Sequence, residues 1–185
     1  MGLLSDMAAG SEQRLIAARA AVGDAELRDR CAALPPLPRL RLSAAGFDLI
    51  AELKLRSPAL GDLSAQTMDP VARLRGYAEA GAAICSILTE PSRFDGDLAH
   101  LRQAATTLAP YGVPAMRKDF LVDPYQVLEA RANGAGGVLL IVRMVERDRL
   151  VAMLDAAAEQ GLFVLLEAFD AHGLEVAAEL AAARR

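Results

Sequence analysis

From Phe47 onward the chain alternates short apolar runs of strand length with longer amphipathic segments, five times in succession. The runs are Phe47 to Leu53, Ala82 to Leu88, Val113 to Met116, Gly137 to Val142 and Phe163 to Leu166. The segments that follow them are Pro70 to Ala80, Asp97 to Ala109, Pro124 to Asn133, Glu146 to Gln160 and Ala171 to Arg184. Their apolar residues recur at the i, i+3, i+4 spacing of helices that pack on a sheet. Gly81, Gly112, Gly134 and Gly161 each stand between a helical segment and the next run, where a helix C-terminus calls for a left-handed residue. Asp69-Pro70 and Asp123-Pro124 place a capping carboxylate before a proline at the first helical position. The runs are nearly uniform in hydrophobicity, which predicts a parallel sheet buried on both faces.

The stretch before Phe47 is different. Residues 4–33 carry apolar residues at helical spacing among Arg, Glu and Asp, and Leu34-Pro35-Pro36-Leu37-Pro38 ends any helix there. The reading is therefore a helical extension and Pro-rich linker over 1–45, followed by a βα region over 46–185. A hydrophobic fraction of 54% excludes disorder. No apolar run reaches the roughly 18 residues of a membrane span, and the N-terminus lacks the pattern of a secretion signal, so the expectation is a cytoplasmic protein. Cys31 and Cys85 allow at most one disulfide and offer no metal-ligand spacing. A net charge of −4 and the absence of Trp argue against a nucleic-acid surface. Two architectures accommodate the units: a complete doubly wound sheet, or part of a (β/α)8 barrel. The length of 185 residues by itself favours the first.

In both folds chemistry gathers where strands end. The first run ends in Glu52-Leu53-Lys54, two ionisable side chains on one face of a strand. They read either as a structural ion pair or as part of a site. The third run is followed by Arg117-Lys118-Asp119, either a solvated loop or a place where Lys118 meets Lys54 in one crevice, an arrangement suited to an anionic substrate and to general acid work. Glu167 ends the fifth run, as a functional carboxylate or a structural partner of Lys118. Asp170 reads as a helix cap. Arg143 reads as an anion-stabilising group or, preferred, the start of a loop; Phe94, in the loop after the second run, reads as an apolar pocket wall or an exposed aromatic; His100 and His172 fall on helices and Cys85 in the core.

These residues resemble those of the indole-3-glycerol phosphate synthase family. The resemblance is carried by Ile50-Ala51-Glu52-Leu53-Lys54 with Ser57-Pro58, Ser86-Ile87-Leu88-Thr89-Glu90, Arg117-Lys118-Asp119-Phe120, Asp123-Pro124-Tyr125-Gln126, Leu139-Leu140-Ile141-Val142 and Leu166-Glu167. It implies a TIM barrel, overturning the argument from length, and a decarboxylating lyase of tryptophan biosynthesis that needs no metal or organic cofactor. The substrate it implies is 1-(2-carboxyphenylamino)-1-deoxyribulose 5-phosphate. It also implies roles: Lys118 as general acid, Lys54 as holder of substrate anions, Glu167 as base or charge stabiliser, and Glu52 beside the departing hydroxyl. Ser57 would lie near the substrate carboxylate, and Phe94 would flank the aromatic ring.

The sequence departs from the family pattern at Ala59, where a second serine is usual, and Arg185 follows the fifth unit. The expectation is a partial barrel of about five βα units with unpaired edges at its first and fifth strands, prone to self-association. Two other readings stand beside the lyase: an inert partial barrel acting as an assembly module, and a phosphate-handling barrel enzyme with different ring chemistry.

Overall fold

The computed structural model describes residues 2–44, 46–57, 61–63 and 69–184; Pro58 and Ala59 lie outside the described residues. The extension forms two helices, α1 (Leu3–Ala21) and α2 (Asp24–Ala32), rather than one. The break falls at Val22 and Gly23, both extended. Both helices pack on α6 (Pro124–Ala132) through a cluster of Leu15, Leu27, Cys31, Val122, Tyr125 and Leu128.

The five apolar runs form one parallel sheet made of β1 (Ile50–Leu53), β4 (Ile84–Leu88), β5 (Ala115–Lys118), β6 (Gly137–Ile141) and β7 (Phe163–Glu167), in that spatial order. Each strand lies beside its predecessor, so the sheet has no point at which strand order reverses. That rules out the doubly wound alternative, which requires such a switch point. The helices α3 (Pro70–Glu79), α5 (Leu98–Leu108), α6, α7 (Arg147–Glu159) and α8 (Ala171–Ala182) fill the crossovers and the C-terminus. Gly81, Gly112, Gly134 and Gly161 all hold positive φ at the predicted helix ends. The side chains of Asp69, Asp123 and Asp170 accept from backbone N–H groups of Ala72, Tyr125 and Gly173, as caps should.

Three local features differ from the sequence reading. A short antiparallel pair, β2 (Arg56–Ser57) and β3 (Gly61–Asp62), follows β1. Phe94 ends a short helix, α4 (Pro91–Phe94), instead of lying in a loop, because the Glu90 carboxylate accepts from the N–H groups of Ser92 and Arg93 and starts a turn there. The third strand runs past Met116 to Lys118, placing two charged residues inside the sheet.

Period-two alternation sorts the strand side chains onto two faces. Leu53, Cys85, Ile87, Ala115, Val138 and Leu140 pack under the helices. Ile84, Met116, Leu139 and Ile141 face the other way, with Leu4, Leu40, Phe120 and Phe163 against them. The inner strands β4 and β6 are buried along their whole length, but β1 and β7 are not. Each of these has a neighbour on one side only among the described residues, and Ile50 and Leu165 are 46% and 36% exposed. The uniform burial expected of all five strands therefore holds only where a strand has two neighbours. Phe47 lies before β1 and is 82% exposed, outside the strand it was expected to start.

Candidate active site

The face opposite the helices carries, at the carboxyl ends of its strands, the ionisable residues singled out in sequence. Glu52 sits between two ammonium groups: Lys54 Nζ is 2.9 Å from Glu52 Oε1, and Lys118 Nζ is 3.3 Å from Oε2. Burial pushes the Glu52 carboxyl upward, but the hydrogen bond from Lys54 and the charge of Lys118 outweigh it, so the group is held below its ordinary value. Lys54 and Lys118 are the only lysines in a chain with 20 basic residues. Both meet one carboxylate.

Beside this triad lies a cavity of about 430 Å3, lined by Lys118, Glu167, Phe94, Phe120, Leu88, Ile141 and Phe169 among others, with Gly2, Leu3 and Leu4 of the extension closing one side. Its walls are mainly apolar and aromatic; the Phe94 and Phe120 rings are 6.3 Å apart and tilted by 34°. Glu167 shares the cavity with Lys118, yet no ion pair joins them among the described residues. Arg143, read in sequence as the start of a loop in preference to an anion-stabilising group, lines the cavity; its guanidinium lies 4.5 Å from the Phe169 ring centroid and 3.5 Å from the Asp170 carboxylate. Ser57 is not part of this cavity. It is buried at a separate opening of about 310 Å3 beside Arg56, Ser92 and Arg93.

The chemistry available is that of two ammonium groups held by Glu52 beside an apolar space, with Glu167 in the lining of that space. Such a site can bind an anion, stabilise negative charge on a carbonyl oxygen and deliver a proton to it. Among the described residues no group of three or more His, Cys, Asp or Glu side chains could hold a metal ion.

The neighbours of Lys118 in sequence are not solvated: Arg117 points to the other side of the sheet, and Asp119, which also borders the cavity, is bonded to Arg117. Arg117 and Asp119 are 2% and 3% exposed. The Arg117 guanidinium donates to Asp119 (3.1 Å), to Glu129 (2.8 Å), to the Gln126 carbonyl (3.0 Å) and to the Thr89 hydroxyl (3.2 Å). Asp119 accepts in addition from Thr89 Oγ1 (2.8 Å), the Phe120 N–H (2.8 Å) and Arg14 of α1 (2.7 Å). The Asp123-Pro124-Tyr125-Gln126 stretch has the same task. Tyr125 donates to the Ala18 and Val22 carbonyls, Gln126 to the Ser11 hydroxyl, and Asp123 pairs with Arg19. The solvated-loop reading of the three charges thus fails for Arg117 and Asp119, because partners distant in sequence compensate them.

Sequence reasoning missed Phe120 and Phe169 as cavity walls, although both adjoin residues it had marked. It also missed Ser86, whose hydroxyl is the one buried side-chain polar atom without a hydrogen-bond partner among the described residues. Ser86 is paired in register with Glu52 on one side and Met116 on the other.

A family model described as indole-3-glycerol phosphate synthase matches residues 5–183. A protein of that name from Nocardioides sp. is 44% identical over 98% of this chain and 69% of its own length. Proteins of the same name from Saccharopolyspora erythraea and Leifsonia xyli subsp. xyli are 40% and 42% identical, with 98% and 94% of this chain and 67% and 63% of their own lengths covered. The chain spans about two thirds of the length of these relatives.

The clamp on Glu52 has a pH signature. A carboxylate whose folded value lies below its unfolded one stabilises the fold above the unfolded value and loses that contribution as pH falls through the folded one. Urea melts of wild type and Glu52→Gln should differ by about 1 kcal/mol near neutrality, with the gap closing as pH falls below the ordinary glutamate value of 4.5. A gap that stays constant into acid contradicts the clamp.

Proposed function

The chain belongs to the indole-3-glycerol phosphate synthase family, and from that premise we propose that it carries the active centre of a decarboxylating carbon–carbon lyase. The reaction closes the indole ring of 1-(2-carboxyphenylamino)-1-deoxyribulose 5-phosphate and releases CO2 and water. The observation that carries this reading is the convergence of Lys54 and Lys118 on Glu52 beside a cavity walled by Phe94 and Phe120.

Ring closure requires an aromatic carbon to attack the substrate ketone, so negative charge builds on the carbonyl oxygen. Lys118, which borders the cavity, delivers the proton to that oxygen. Lys54 holds substrate anions, and Glu52 keeps the two ammonium groups together until substrate arrives. Glu167, which lines the same cavity as Lys118, takes a proton or stabilises the cationic intermediate as CO2 and then water depart. Phe94 and Phe120 flank the aromatic ring. Ser57, outside the main cavity, contributes at the edge nearest the substrate carboxylate. Preorganised donors of this kind are commonly worth a few kcal/mol each in the transition state.

The same reading makes the sheet a run of five units of a (β/α)8 barrel, which the unreversed strand order supports, and makes the protein cytoplasmic. No helix among the described residues is long and apolar enough to cross a membrane.

Indole fluorescence on addition of the substrate tests the activity. Wild type should form product, and Lys118→Ala should lose about a hundredfold or more in rate. Absence of product from wild type at high enzyme concentration overturns the lyase reading in favour of an inert assembly module.

The exposed edges at β1 and β7 carry a separate expectation. With Ile50 and Leu165 open to solvent, the chain should self-associate. Sedimentation velocity over a hundredfold range of concentration should give a rising mean mass; a constant monomer mass contradicts it.

A further inference from the structure

We propose that Arg14, on the helical extension, is a positioning residue that fixes Lys118 and the aromatic wall in place by joining two buried carboxylates, Asp119 and Glu90. The proposal rests on the lyase reading above and extends it to a residue outside the sheet.

Arg14 Nη2 lies 2.7 Å from Asp119 Oδ1, and Nη1 lies 3.5 Å from Glu90 Oε1; the two carboxylate side chains are 0% and 1% exposed. Each controls a different part of the cavity. Asp119 directly follows Lys118, and the oxygen that accepts from Arg14 also accepts from the Phe120 N–H. Glu90 caps α4, whose last residue is Phe94. One guanidinium therefore spans the segment that carries the general acid and one ring, and the segment that carries the other ring. Arginine suits this task, since its planar fork reaches two acceptors in fixed directions. A buried carboxylate that loses such a partner shifts toward whatever donors remain.

Arg14 is not needed to dock the extension. Ser11 to Gln126, Arg19 to Asp123 and the two carbonyls held by Tyr125 attach α1 to α6 independently. Its contribution to catalysis can thus be separated from its contribution to folding.

The experiment compares Arg14→Ala, Arg14→Lys and Glu12→Ala. The last removes Glu12, on the same helix as Arg14, from its exposed pair with Arg149 of α7. Steady-state kinetics on unmodified protein should show kcat falling about tenfold in Arg14→Ala with KM within about twofold. Arg14→Lys should recover part of the loss, and Glu12→Ala should be unchanged. In parallel, reductive 13C-methylation labels the two lysines for NMR. The Lys118 methyl signal should move in Arg14→Ala, by more than that of Lys54, and stay in place in Glu12→Ala. Unchanged kcat with an unmoved Lys118 signal overturns the proposal, as does an equal effect in Glu12→Ala. Should Arg14→Ala unfold, the Lys118 signal of Arg14→Lys decides in the same two directions. If wild type forms no product the lyase reading fails, and the Lys118 signal alone supports or overturns the link.

Discussion

The buried Arg117 guanidinium sets the geometry on which the rest of the site depends. Four of its five N–H donors meet Asp119, Glu129, the Gln126 carbonyl and Thr89 on the helix side of β5. A charged residue so placed tolerates neither exposure to an apolar core nor loss of its partners, since an unpaired buried charge costs several kcal/mol. Arg117 therefore pins β5 in one register. A slip by one residue would turn every side chain to the opposite face. With Arg117 held outward, Lys118 must project inward, toward the cavity. The sequence-adjacent Arg and Lys thereby face opposite sides of the sheet, one in a buried network and one at the cavity.

On the inner face the organising group is Glu52. Two ammonium groups brought together repel each other, and a carboxylate between them offsets that repulsion while leaving both partly solvated. On the lyase reading proposed above, this arrangement suits a site that receives an anion. An incoming phosphate or carboxylate competes with Glu52 for lysines already held in place, so little reorganisation is needed when substrate binds. The apolar walls raise the strength of these interactions by excluding water from the ring-binding space. Glu167 lines the same cavity without an ion pair to Lys118 among the described residues.

Much of this was legible from local pattern. The βα rhythm, the glycines that end helices and the aspartates that start them are short-range signals, and the structure places each where the pattern put it. Glu52, Lys54, Lys118 and Glu167 were also visible, because a charge at the end of an apolar run is conspicuous, whereas Phe94 stands out only as a loop aromatic and through the family resemblance. What escaped was decided by residues far apart in sequence. The third run was ended at Met116 because Arg117 looked like the start of a solvated loop. Its burial becomes tolerable through Thr89, Glu129, the Gln126 carbonyl and Asp119, and Asp119 also accepts from Arg14, 105 residues away. The helix that carries Phe94 starts on a cap from Glu90, a residue that read as part of a strand-end motif. The exposure of β1 and β7 follows from their place in the sheet, which composition does not encode.

The central claim is spatial: Lys54 and Lys118 meet at one carboxylate on the inner rim. A short aryl difluoride crosslinker that joins amines tests it directly, because the chain has no other lysine. Mass spectrometry of the digested native monomer should find an intramolecular Lys54–Lys118 bridge that disappears when the protein is unfolded in urea before reaction. Lysines that acquire only single adducts in the native protein would place the two ammonium groups apart and contradict the account.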